Sequence, residues 1–349
     1  MENREFHQLT QWSKGSGCGC KIAPGVLRQI LATPEELPDH PGLLASGANN
    51  EDAAVLQWLG DECLIATTDF FTPVVDDAYA FGKIAAANAL SDVYAMGGKP
   101  ELALGILGWP IDKIPPSVAQ RVLEGARMVC RIAGVPLAGG HSIETSEPIF
   151  GLAVNGRVHR SDLKRNHSAR PGDLIYITKP IGVGMVLAAA KRGIVQAEAY
   201  EIAVHQMMEL NRVGSALGAV QGVTAMTDIT GFGVLGHLLE MTDHGRLSAQ
   251  LMFRSIPQLS SSSELIKEAV YTDMTMKNYS AYAGNCSTLS MEQLLVLCDP
   301  QTSGGLMVAV SPEAKNQYLE IVRDFGLQGI ADCCIGEFTL PSEKQIVVL

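Results

Sequence analysis

The chain has 349 residues, 47% of them hydrophobic and 18% charged, with a formal net charge of −11. That length supplies material for two domains, and the acidic balance argues against general nucleic-acid binding, because phosphate backbones are captured mainly by clustered lysine and arginine. An anionic ligand therefore needs metal ions or local donors.

In chain order, the first 30 residues read as a mobile arm carrying Gly15-Ser16-Gly17-Cys18-Gly19-Cys20-Lys21, followed by a polar, proline-rich stretch from Thr33 to Pro41. Residues 53–58 and 63–68 read as strands joined by the turn Gly60-Asp61-Glu62. The alanine-rich segment Ala78 to Met96 has helical spacing and stops at Gly97-Gly98. A strand follows over 100–107, a helix over 117–133, and a strand over 148–158. Basic residues cluster in 159–170, where a solvated connector between domains is expected. Beyond it come a strand at 174–178, helical patterns at 184–192 and 197–217, a turn at 228–233 and a strand at 305–310. The alternation implies α+β architecture, mixed sheets covered by helices. The expected organisation is an arm over 1–30, an N-terminal domain over 31–158 and a C-terminal α+β domain over 159–349.

Met1 to Trp12 carries Glu2, Arg4 and Glu5 and lacks the apolar core of a signal peptide. No uncharged apolar run reaches the ~18 residues of a membrane span. Eight cysteines in a chain this long do not make a secreted disulfide framework. A cytoplasmic protein with reduced thiols is expected, without membrane or nucleic-acid partners.

Cys18-Gly19-Cys20 is a poor disulfide, since one intervening residue forces a strained small ring. Three readings stay open for it: a zinc site shared with Cys333-Cys334, inert cysteines in a loose tail, or a reactive thiolate helped by Lys21. Downstream, Asn49-Asn50-Glu51-Asp52 precedes an apolar strand, Thr67-Thr68-Asp69 ends the next, and Asp92 lies one helical turn after Asn88. A single aspartate is usually a cap or turn residue; three within forty-odd residues point to hard cations bridging carboxylates and phosphates. Ala138-Gly139-Gly140-His141-Ser142 reads as a turn whose amides approach phosphate. Thr227-Asp228-Ile229-Thr230-Gly231-Phe232-Gly233 adds a fourth carboxylate, and Asp299-Pro300-Gln301-Thr302-Ser303-Gly304-Gly305 adds hydroxyls beside glycines. No Walker pattern is present, which disfavours an ordinary P-loop ATPase.

These segments, with Met96-Gly97-Gly98-Lys99-Pro100, are collinear over nearly the whole chain, and together they resemble the selenophosphate synthetase family of the aminoimidazole ribonucleotide synthetase-like superfamily. The resemblance implies that superfamily's two-domain α+β fold, with ATP binding mainly in the N-terminal domain, and a homodimer through N-terminal strands. It implies the reaction of ATP, selenide and water to selenophosphate, AMP and orthophosphate, which supplies selenocysteine and selenouridine synthesis, and a selenium-delivery protein as a further partner. Cys18 and Lys21 match the catalytic positions. Asp52, Asp92 and Asp228 match magnesium-binding positions. Lys21, Asn49, Asn50, Glu51, Asp69 and Asp92 match nucleotide-binding ones, and Gly140, His141 and Ser142 match a segment that reaches the partner subunit's nucleotide. Two alternatives are another ATP-dependent superfamily member, which leaves the Cys18 to Lys21 arm unexplained, and a selenium or metal carrier, which leaves the aspartates unexplained.

Overall fold

A computed structural model describes residues 8–13, 17, 22, 24–32, 40–46 and 50–349. The first sheet comprises β1 (Leu43–Ala45), β2 (Ala54–Leu59), β3 (Glu62–Phe71), β4 (Lys99–Trp109), β5 (Leu137–Glu144) and β6 (Ile149–His159), ordered β1-β2-β3-β6-β4-β5. Neighbours are antiparallel except β4 and β5. The second sheet comprises β7 (Leu174–Ile177), β8 (Val223–Asp228), β9 (Ser248–Leu251), β10 (Leu306–Val310), β11 (Gly336–Thr339) and β12 (Ile346–Val348), ordered β12-β9-β11-β7-β10-β8. Only β12 and β9 run parallel there. The helices are α1 (Pro24–Leu31), α2 (Ala78–Ala95), α3 (Pro116–Ala133), α4 (Val183–Lys191), α5 (Ala197–Met207), α6 (Val213–Gly218), α7 (Gly233–Met241), α8 (Ser262–Lys267), α9 (Asp273–Tyr282), α10 (Met291–Leu297) and α11 (Lys315–Asp324).

Alternation on β3 sends Cys63, Ile65 and Phe71 into the core under α2. α2 is buried almost all round because it lies between the first sheet, α3 and the second domain. Its small side chains suit that position. A Cβ on Gly82 would lie 1.8 Å from the Val122 carbonyl oxygen, and one on Gly125 2.0 Å from that of Tyr79, so glycine lets α2 and α3 touch through their backbones. In the second sheet all of β10 is buried, with helices on both faces. On one face Tyr176 stacks on Tyr318 at 4.5 Å between ring centroids.

Three local expectations change. The helical pattern over 197–217 splits into α5 and α6, because the Glu209 carbonyl and the Asn211 side chain between them make tertiary hydrogen bonds instead. The stretch 138–142 is not a turn; it lies within β5, and Gly140 is there because a Cβ would lie 2.0 Å from the Gly105 oxygen of β4. The basic segment 159–170 is solvated only in part: His159, Arg160 and Arg170 are exposed, but Lys164 and Asn166 are buried, with Lys164 Nζ donating to Val220 O at 3.0 Å and Asn166 Nδ2 to Asn50 O at 2.8 Å.

Among the described residues of the expected arm, Leu9 is fully buried and Thr10 donates its N–H and its hydroxyl to Asp76 Oδ1 at 2.8 and 2.7 Å. Gly17 is also buried, its N–H donating to Thr72 O at 3.3 Å.

Candidate active site

The site begins as a ladder between β3 and α2. Thr67 and Asp69 share one strand face, about 6.6 Å apart along the strand, and Asn88 and Asp92 lie one helical turn apart, about 6 Å along the axis. The repeats match, so two rungs form. Thr67 Oγ1 donates to Asp92 Oδ2 at 2.5 Å, and Asn88 Nδ2 donates to Asp69 Oδ2 at 2.5 Å.

The second domain completes the arrangement. Thr227, next to last in β8, donates its hydroxyl to Asp52 Oδ1 at 2.8 Å across the domain boundary. Asp52 as a residue is half-buried, yet its Oδ2 is shut off from solvent, as is Oδ2 of Asp228, and neither atom has a hydrogen-bond partner. Burial holds the Asp52 carboxyl well above the usual carboxylate range, and the nearby charges of Asp228 and Asp92 push it further the same way. Converging buried anions with orphaned oxygens cost free energy unless a cation joins them, and oxygen donors of this kind suit a hard divalent ion. Among the described residues no group of three or more acidic, histidine or cysteine side chains forms a ready-made coordination shell.

The loop Asp299 to Gly305 lies against the ladder. Ser303 N–H donates to Asn88 Oδ1 at 2.9 Å, so Asn88 links Asp69 to the second domain. Asn211 Nδ2 bridges Ser91 Oγ and Gly304 O, both at 2.8 Å. Lys179, buried at the end of β7, donates to Glu209 O at 2.8 Å and Ser303 O at 2.9 Å. Burial lowers its ammonium to about 8, while Glu209 and Asp228 oppose that shift. Gln301 is buried too, and its Oε1 accepts from the Gly182 and Val183 N–H groups at 3.2 Å each. Lys179 and Asn211 are contributors that sequence reasoning missed, while Thr227 and Gln301 lay in motifs it singled out without a role of their own. Lys179 carried a signal, a lone cation closing an apolar strand; Asn211 is recognisable only from its tertiary partners.

The remaining expected residues are distributed as follows. Glu51 has a side chain 1% exposed, its Oε1 2.8 Å from His167 Nδ1 and its Oε2 accepting from Asn166 N–H at 3.2 Å. Burial raises its carboxyl to about 7. Asn50 is in a left-handed conformation with φ +53°, and its carbonyl receives Asn166. Gly140, His141 and Ser142 are exposed on β5, the edge strand. Pairing runs Asp69 to Leu152, Leu152 to Gly105 and Gly105 to Gly140, which puts Gly140 on the same cross-strand row as Asp69. Three strand spacings, about 14 Å, separate them. Cys18, Lys21 and Asn49 lie outside the described residues. A cavity of about 290 Å³ lined by Glu62, Lys99, Arg157 and His159 sits at the opposite end of β3 from Asp69 and takes no part in this arrangement.

The family models described as AIR synthase related protein, N-terminal domain and C-terminal domain match residues 50–158 and 170–344. A selenide, water dikinase of Shewanella baltica (strain OS155) is 47% identical over 345 residues, 99% of this chain and 97% of that protein. That of Shewanella sp. (strain MR-4) is 46% identical over 343 residues, 98% and 96% of the two chains. Among solved structures, thiamine-monophosphate kinase from Stenotrophomonas maltophilia superposes with a TM-score of 0.65 at 18% identity, covering 89% of this chain and 92% of its own. The hydrogenase maturation protein HypE in complex with ATP gives 0.63 at 19% identity, covering 89% and 87%. At those identities the structural likeness concerns the fold; the full-length identity of nearly one half goes further, and by it the chain belongs to the selenide, water dikinase family of AIR synthase-related proteins.

Proposed function

We propose that this chain converts ATP, selenide and water to selenophosphate, AMP and orthophosphate, with Asp52, Asp92 and Asp228 holding magnesium against the ATP phosphates. The observation that carries the site reading is the pair of enclosed, partnerless oxygens on Asp52 and Asp228, contributed by different domains. Magnesium commonly binds through one or two carboxylates plus substrate phosphates, which suits carboxylates that form no complete shell alone. When bound, the ion supplies charge neutralisation for the transferring phosphoryl group.

The chain's own residues do the rest. Asn88 orients Asp69, and Thr67 orients Asp92, so both carboxylates keep fixed directions toward the nucleotide. Positions 49 to 51 belong to the same nucleotide-binding stretch. Selenide is a soft anion approaching an anionic γ-phosphate, and the Lys21 ammonium screens that approach. Cys18, three residues before it, holds selenium or moves its proton. Hydrolysis of the remaining diphosphate then yields AMP and orthophosphate.

The catalytic unit in this reading is a homodimer. The face of the first sheet opposite α2 exposes Phe70 (50%), Leu104 (37%) and Ile143 (59%), and β5 offers a free edge beside them. A second copy on that face brings Gly140, His141 and Ser142 toward its partner's nucleotide. A cytoplasmic location belongs to this reading, and Cys63, Cys130, Cys286, Cys298, Cys333 and Cys334 are free thiols; no helix among the described residues is long and apolar enough to cross a membrane. Its product feeds selenocysteine and selenouridine synthesis, and its substrate comes from a selenium-delivery protein.

Phosphorus NMR of ATP turnover with and without selenide tests the reading. Selenophosphate, AMP and orthophosphate in equal amounts are expected. Stoichiometric ADP as the end product would instead make the protein an ordinary kinase.

A further inference from the structure

Gly17 occupies a slot built by both domains. Its N–H is fixed to Thr72 O at the end of β3, and its φ is +52°, a left-handed conformation that favours glycine. A Cβ added there would lie 2.5 Å from Thr302 Oγ1, 3.2 Å from Thr302 Cγ2 and 3.1 Å from Val74 Cγ2. Both walls are buried. Val74 and Thr302 are 3% and 4% exposed, and the neighbours of Thr302 are tied down on every side. Ser303, itself at φ +50°, is bonded through its N–H to Asn88 and through its carbonyl to Lys179, while the Gly304 carbonyl is held by Asn211. Upstream, Thr10 is doubly bonded to Asp76 and Leu9 is fully buried.

We infer that Thr302 is a positioning residue for the selenide-dependent step: its side chain forms a wall that admits only glycine at position 17, and so sets where the chain enters the Cys18 to Lys21 segment. Resting on the dikinase reading, this assigns a mechanical purpose to the hydroxyl-and-glycine loop of the second domain. The loop that grips Asn88, and through it Asp69, is the same loop that seats Gly17. One loop thereby fixes Gly17 relative to Asn88 and Asp69. Thr302 acts through Gly17 and not on the reacting atoms.

The chemistry predicts an asymmetric pair of variants. Gly17→Ala collides with Thr302 and also strains the backbone, so the seat is lost. Gly17→Ala combined with Thr302→Ala removes the collision and leaves only the backbone strain, so the seat is partly regained. The expected result is a drop of at least about tenfold in kcat for selenide-dependent AMP formation in Gly17→Ala, with the KM for ATP unchanged. The double variant should recover several-fold over the single one, a coupling that independent sites do not show. Alkylation of Cys18 by iodoacetamide, followed by peptide mass spectrometry, reads the same seat without any turnover. It should change several-fold in Gly17→Ala and move back in the double variant.

Wild-type kcat in Gly17→Ala, or equal defects in the single and double variants, would overturn the assignment. So would loss of nucleotide binding in parallel with kcat, which marks a general structural role. If the wild-type protein makes no selenophosphate but the alkylation pattern holds, the reaction assigned above fails and the seat stands.

Discussion

At the scale of single residues, the buried carboxylates make opposed demands on stability and activity. Asp52 is pushed toward its protonated form by burial and then by Asp228 and Asp92, so in metal-free protein its charge is a liability. Asp52→Asn or Asp228→Asn should therefore raise the melting temperature of metal-free protein while lowering turnover at least about a hundredfold, the scale of losing one stabilising group at a transition state. Added magnesium with ATP should raise the wild-type melting temperature and move the variants much less. Thermal melts with and without magnesium, beside rate assays, check this; variants that bind and turn over normally at limiting magnesium remove these carboxylates from the metal site. Asp299 provides a cleaner pH signature. Burial lifts it to about 8 despite its bonds from Gln301 Nε2 at 2.7 Å and Gly184 N–H at 3.0 Å. A folded value above the unfolded 3.8 means the native state binds the extra proton, so this stabilisation is complete below about 4 and is lost as pH rises toward 8. Asp299→Asn mimics the protonated acid, so its melting temperature relative to wild type should climb by roughly 2–4 °C or more between pH 5 and 8. A constant difference across that range would mean that Asp299 is ionised in the native protein.

At the scale of elements, the pairing of β3 with α2 is the unit that makes a site from scattered polar residues. Asn88 is its hinge pin, donating to Asp69 and accepting from Ser303 with the two ends of one amide. Asn88→Asp keeps the acceptor but replaces the donor by a like charge facing Asp69, so ATP affinity should fall about tenfold or more, with a stability loss of about 1–3 kcal/mol. Isothermal titration and chemical denaturation measure both, and unchanged affinity would detach Asp69 from the nucleotide. The regular parts of this unit were legible in the sequence. The strand over 63–68 was readable from the turn at 60–62 that precedes it, and the helix from 78 from its alanine-rich spacing and the Gly97-Gly98 stop. The register between them was not, because a rung such as Thr67 to Asp92 depends on how strand and helix slide against each other. Gly139-Gly140 misled for a related reason: glycine marks close backbone approach as readily as a turn, and here the approach is to Gly105 of a parallel neighbour. Short pieces such as β1, β9 and β12 span only 3 or 4 residues, too few for any period to register. The basic run around Lys164 looked solvated because composition cannot reveal that the Val220 carbonyl waits to receive its ammonium.

At the scale of the whole molecule, the two sheets differ in how completely they are covered, and that difference is where the proposed homodimer can be tested. β10 of the second sheet is buried along its length, whereas every residue of β5 but the first is exposed and the face of the first sheet away from α2 carries Phe70, Leu104 and Ile143 in the open. An apolar sheet face with an unpaired edge strand is a liability in an isolated chain. The homodimer proposed above would remove it by packing face against face, and an isologous interface of this kind repeats each contact twice. Phe70→Glu and Ile143→Lys each put a charge on that face without touching the helix-side core. Each should convert a dimer to monomers in sedimentation velocity, while far-ultraviolet circular dichroism stays unchanged. The functional consequence separates two designs. Asp69 and Gly140 share a cross-strand row but stand about 14 Å apart within one chain, so if Gly140, His141 and Ser142 serve the neighbouring nucleotide, monomers should lose ATP affinity about tenfold or more. Mixing Ile143→Lys with Phe70→Glu should restore part of it where the opposite charges meet across the interface. Monomeric variants with wild-type ATP affinity would show that each chain completes its own nucleotide site, and would leave the open face as an interaction surface without a part in catalysis.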